Sequence, residues 1–167
     1  GGTVQNVSLP AEVNNDVASP VLVENSSNTQ TVEWLAARIT DIERFVDQLP
    51  SIAVFVNSED DVEPTATSLE TLLSEHNIPV MACREGQAVG QESSVRVFDI
   101  QHIKGLEFEA VFFLGVDRLA ERQPELFDKY IYVGTTRAAA YLGLACEGVL
   151  PAQLDPVRHH FAKDWTH

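Results

Sequence analysis

Two short stretches hold most of the residues able to do chemistry. The first, Gln101 to Phe108 (QHIKGLEF), gathers His102, Lys104 and Glu107 around Gly105 between two apolar runs. Glycine lets a backbone come close to a phosphate, and a glutamate carboxylate accepts hydrogen bonds from sugar hydroxyls. The spacing puts this loop at the carboxyl end of a strand, where open parallel sheets bind ligands. The second stretch, Tyr132 to Ala138 (YVGTTRA), sets Arg137 among Gly134, Thr135, Thr136, Ala138 and Ala139, so a guanidinium can project without crowding. A cation at the C-terminal end of a helix is also favoured by the helix dipole, and that accounts for Arg137 without any ligand.

Other patterns carry less. In EGQAVGQESS the glycines Gly86 and Gly90 enclose three residues where a phosphate loop has four, and no Lys follows, so the segment reads as a linker. Asp117 ends an apolar run as a magnesium-holding Asp would, but with no phosphate loop in the chain it reads as a loop Asp capping the next turn. His159, His160 and His167 do not converge on one side of an element, so no metal site is expected. Cys83 and Cys146 belong to no Cys-x-x-Cys pair and read as buried thiols.

The elements that must position these residues follow from apolar spacing. Val21 to Glu24 is β-prone, and Asn25 to Asn28 is a polar turn able to cap a helix over Thr29 to Gln48, which Pro50 ends. Ile52 to Val56 (IAVFV) has the unbroken apolar character of a strand covered on both faces. A second helix starts near Pro64 and closes at Asn77, which suits a left-handed position. Strands are expected at Val80 to Cys83, Val95 to Ile100, Ala110 to Val116 and Tyr141 to Cys146, with a helix from Glu125 to Thr136. Alternation of this kind predicts an α/β fold with a mainly parallel sheet flanked by helices. Residues 1–19 read as an extended lead-in, 20–150 as the domain, and 151–167 as a tail or short helix.

Composition narrows the function. With 167 residues, 44% hydrophobic and 22% charged, the chain fits one globular domain. No apolar run is long enough to span a membrane and no secretory leader is visible, so a cytoplasmic protein is expected. A net charge of −14 opposes wholesale binding to nucleic-acid phosphates. The charge is uneven: residues 1–95 carry 3 basic and 15 acidic side chains, residues 96–167 carry 8 and 10, so a polyanion site belongs in the second part.

KGLEF before an apolar strand, then YVGTTRA and another strand, resembles motifs V and VI of the UvrD/Rep-like superfamily 1 DNA helicases. The similarity is clearest over Val95 to Cys146 and extends to Ile52 to Met81, which resembles the motif IV region. In that family two RecA-like domains face each other across one ATP. The resemblance implies that this chain is the second, C-terminal one: RecA-like and P-loop NTPase-like, without its own P-loop. It implies ATP and Mg2+ as ligands only together with an N-terminal RecA-like domain, which carries the phosphate-binding lysine and the magnesium-coordinating acid. The partners implied are that domain and single-stranded DNA, with no membrane.

Residue by residue, the resemblance implies that Arg137 is the arginine finger reaching the γ-phosphate and that Glu107 contacts the ribose. Gly105 matches the glycine near the phosphates, while His102 and Lys104 fall in the segment linking ATP state to single-stranded DNA. The short interval Arg84 to Ser94 implies a relative without the large subdomain that UvrD and Rep insert there. Departures from the pattern are Ile100 where Thr is common, Asn57 aligned with the motif IV arginine, Leu126 and Phe127 where acids usually precede the motif VI helix, and Lys129 where Arg is common. A non-enzymatic alternative is a degenerate RecA-like module for protein contacts or nucleotide sensing.

Overall fold

The computed structural model describes residues 18–131 and 140–166. Most of the lead-in, the YVGTTRA stretch with Arg137, the end of the helix expected to reach Thr136, and His167 lie outside the described residues.

Six strands, β1 (Val21–Val23), β2 (Ile52–Val56), β3 (Val80–Ala82), β4 (Val95–Asp99), β5 (Ala110–Phe113) and β6 (Tyr141–Ala145), form one sheet in the order β1-β6-β5-β2-β4-β3. Every pairing is parallel. The fold class expected from the sequence is therefore the observed one. β2 lies between β4 and β5, and all its residues are buried, as a central strand requires. Ile52, Val54 and Val56 enter one core, while Ala53 and Phe55 enter the other.

The first face is covered by α1 (Asn28–Phe45) and α2 (Val62–Leu73). Ser27 starts α1 with a reciprocal cap: its Oγ accepts the Gln30 N–H (3.1 Å), and its own N–H donates to Gln30 Oε1 (2.9 Å). α1 buries Leu35, Ala36, Ile39 and Ile42. It ends at Phe45, earlier than Gln48, because Val46 is already extended and packs against the core with Leu49. After α2, Asn77 takes the left-handed conformation (φ 57°) and donates its N–H to Ser74 O, as its position predicted.

The second face differs from expectation. β5 stops at Phe113 because Gly115 turns the chain with φ 66°, and Val116 opens an unexpected helix, α3 (Val116–Arg122). The helix expected from Glu125 is, among the described residues, a short turn Pro124–Leu126 and one π-helical turn, Phe127–Ile131.

The tail is fixed to the sheet. After a 3-10 helix (Ala152–His160), Ala162 makes a parallel bridge to Val21, with Leu22 N–H donating to Ala162 O (3.0 Å) and Ala162 N–H to Pro20 O (2.8 Å). Trp165 is 4% exposed; its indole N–H donates to Ser19 O at 2.6 Å, and its ring meets Phe112 and Tyr141 edge-on. Its backbone N–H donates to Asp41, a buried carboxylate also bound by Arg38 and Arg44. No helix among the described residues is long and apolar enough to cross a membrane.

Candidate functional site

Residues 100–109 connect β4 to β5, which lie on either side of β2 in a parallel sheet. The connection must return the chain from the carboxyl edge to the amino edge and has no length for a full crossover helix. Asp99 begins it by accepting the Gln101 N–H on Oδ1 (3.0 Å), which caps the 3-10 turn Ile100–His102. Ile100, Ile103 and Phe108 then anchor the segment in the second core, and Phe108 meets Phe98 with ring centroids 5.7 Å apart. Burial of Ile100 explains why a branched apolar residue stands there. Gln101, Lys104, Gly105 and Glu107 are exposed between the anchors.

Gly105 (φ 84°) is the third residue of a turn closed by the Leu106 N–H on Ile103 O (3.0 Å). A Cβ there would touch nothing within 4 Å, so the glycine serves the positive φ and leaves open space over the backbone. At the other end, Glu109 N–H donates to Ser51 Oγ, Ser51 N–H donates to Glu109 Oε1, and Glu109 O accepts the N–H groups of Ala140 and Tyr141. The QHIKGLEF stretch therefore does not stay at a strand's carboxyl end. His102 is at the carboxyl edge, and Glu107 is two residues from the amino edge, where the chain re-enters at Ala140. Arg137 and its neighbours Tyr132 and Gly134 lie outside the described residues.

His102 is half-buried against the turn Arg84–Gly86: a Cβ on Gly86 would fall 2.9 Å from the ring. Its Nε2 faces Glu59 Oε1 at 3.6 Å. Glu59, Asp99 and His102 each bring one metal-ligating atom within 4.8 Å of the others. Asp99 is engaged by Gln101, and Glu59 accepts the Glu85 N–H at 2.7 Å, so two of the three already serve the protein. Arg96, on β4, holds the linker by donating to Val89 O and Gly90 O.

A cleft of about 680 Å³ opens at the carboxyl ends of β2, β5 and β6, between α1 and α2. None of His102, Lys104, Gly105 or Glu107 lines it. Glu33, Asp61 and Glu147 face Arg122 there, a balance that opposes a phosphate ligand. Asn57 reaches it, and its amide donates to Gly115 O at 3.0 Å, tying the loop after β2 to the turn before α3. That contact was not foreseeable from IAVFVNSED, because Gly115 is distant in sequence. Asp117 likewise works at long range: its carboxylate accepts the N–H groups of Glu147 and Gly148 after β6, not those of its own next turn. Both cysteines are buried free thiols, as expected. Burial, with Asp117 and Glu24 adding repulsion, pushes the Cys146 thiol up to about 12, which removes it as a nucleophile at neutral pH.

A six-stranded parallel sheet with helices on both faces, among the described residues, defines a RecA-like α/β domain. Residues 94–145 match the family model of the UvrD-like helicase C-terminal domain, which includes the whole of QHIKGLEF and YVGTTRA. The fold is similar to that of the C-terminal domain of a possible DNA helicase from Lactobacillus plantarum WCFS1. That match has a TM-score of 0.60 and 23% identity, covering 89% of this chain and 84% of the other. An arterivirus nonstructural protein 10 helicase, solved with DNA, matches with a TM-score of 0.43 and 14% identity over 87% of this chain and 34% of its own. No curated protein sequence matches the chain.

Proposed function

We propose that this chain is the second motor domain of an ATP-dependent DNA helicase or translocase. An N-terminal RecA-like domain would supply the phosphate-loop lysine and the magnesium ligand. Arg137 would supply the arginine finger, Gly105 and Glu107 would approach the nucleotide, and His102 and Lys104 would follow single-stranded DNA. One observation carries the reading: a single short, core-anchored segment runs from His102 at one edge to Glu109 at the other, where Glu109 O accepts the N–H groups of Ala140 and Tyr141. A segment pinned by Ile100, Ile103 and Phe108 is suited to relay a shift at the nucleotide to the strand. The exposed Glu107 and the open space at Gly105 fit the approach of a ribose and phosphates.

The test is steady-state ATP turnover with saturating single-stranded DNA, in the protein that carries both RecA-like domains. Arg137→Ala should lower turnover by about 10³ or more while changing ATP binding little, because the finger acts on charge in the transition state. Arg137→Lys should not restore it, since an ammonium lacks the planar fork of donors. Near-normal turnover for Arg137→Ala would favour the degenerate, non-catalytic module. That second reading draws support from Asn57, bound to Gly115 where the family carries a phosphate-contacting arginine.

A further inference from the structure

Beside His102, donors from two segments converge on carboxylates from a third. The turn Arg84–Gly86 has positive φ at Glu85 (54°) and Gly86 (78°), and it presents the Glu85 N–H to a carboxylate. The Glu85 N–H donates to Glu59 Oε2 at 2.7 Å, while the other oxygen of Glu59 faces His102 Nε2 at 3.6 Å. Arg84 Nη1 donates to Glu63 Oε2 at 3.0 Å. A backbone N–H, an imidazole and a guanidinium are the kind of donors that hold a nucleic-acid phosphate. Here carboxylates from the acidic segment 59–63 fill that role. Arg84 and Glu63 are each 61% exposed, so their pair is worth little and exchanges readily.

We propose that Arg84, the Glu85 N–H and His102 form a binding site for a backbone phosphate of single-stranded nucleic acid, and that Glu59, on the Glu85 N–H and His102, and Glu63, on Arg84, occupy it until a strand displaces them. The proposal rests on the reading of His102 and Lys104 as lining the strand's path. It assigns Arg84 and Glu85, which that reading leaves as linker, to the contact, and it makes Glu59 an internal competitor.

The experiment measures binding of a fluorescein-labelled oligothymidylate to the whole chain by anisotropy across a salt series. Glu59→Gln keeps an oxygen for the Glu85 N–H but removes the charge. Its affinity should rise by about three- to ten-fold at low salt, and the log–log salt slope should steepen by roughly one phosphate contact. Glu70→Gln, which removes one charge from the exposed side of α2, should give no comparable gain, and Arg84→Ala added to Glu59→Gln should abolish the gain. Equal gains for Glu59→Gln and Glu70→Gln, or a gain that survives Arg84→Ala, would overturn the proposal. So would displacement of the oligonucleotide from Glu59→Gln by inorganic phosphate at constant ionic strength, which would mark a free-anion site. Weakening by Lys104→Ala with no gain from Glu59→Gln would leave the strand path standing without the competitor. A gain from Glu59→Gln with Lys104→Ala inert would keep the phosphate site and remove Lys104 from the path.

Discussion

The two faces of the sheet solve the same burial problem with different material. One is covered by α1 and α2, long helices whose apolar residues recur at helical spacing. The other is covered by residues 100–109, α3, the turn at Phe127–Ile131 and Leu150 with Leu154, each giving only a few anchors. A regular helix leaves its polar side chains on the outer surface, one turn apart. An irregular crossover exposes them in runs between anchors, close to the sheet edges. His102, Lys104, Gly105 and Glu107 lie on the irregular face for that reason, and the same irregularity makes each anchor there harder to replace.

The strongest challenge to this comparison is to remove one large anchor from each face. Phe98, fully buried and packed between Phe55 and Phe108, should cost about 3–5 kcal/mol when changed to Ala, read from urea midpoints. Leu35→Ala on the helical face should fall in the lower part of the roughly 2–5 kcal/mol range, because α1 has further anchors to hold it. A Leu35→Ala loss exceeding that of Phe98→Ala would reverse the ranking of the faces. A smaller effect tests whether local helix signals matter on the regular face: Ser27→Ala removes the cap of α1 and should cost about 1 kcal/mol by the same measurement.

The smallest expected effect concerns the end of the second face. Arg158 donates two hydrogen bonds to Glu24, and the Leu150 N–H adds a third. Chiefly through Arg158, the carboxyl is held below its ordinary value of 4.5. A depressed carboxyl adds stability that is present above its unfolded value and is lost as pH falls through the folded one. Thermal midpoints of the unaltered chain should therefore fall more steeply below about pH 4.5 than those of Glu24→Gln. Parallel curves would show that the pair contributes nothing to folding.

The regular face was legible in the sequence and the irregular one only partly so. IAVFV reads as a central strand because it is apolar at every position, and Ser27 and Asn77 announce their caps locally. AVFFLGV conceals the start of α3, since nothing but the backbone of Gly115 separates strand from helix. QHIKGLEF reads as a loop with phosphate-handling residues, but whether it stays at one edge or crosses the sheet depends on β2 lying between β4 and β5. That order is set by pairings distant in sequence. Trp165 was hidden for the same reason: its neighbours are polar, and its burial requires Ser19, Asp41 and Tyr141 to be assembled first.

The position of β1 bears on how the chain reaches this state. Among the described strands, β1 comes first in sequence and pairs with β6, which comes last, and with Ala162 beyond it. Val21 and Gly143 meet only after nearly the whole domain has been made, so a ribosome releases β1 and the apolar side of α1 long before their partners exist. The β2, β4 and β5 centre can assemble in the meantime. The edge strand closes last, and the entropy of joining such distant segments places this step among the slow ones in folding.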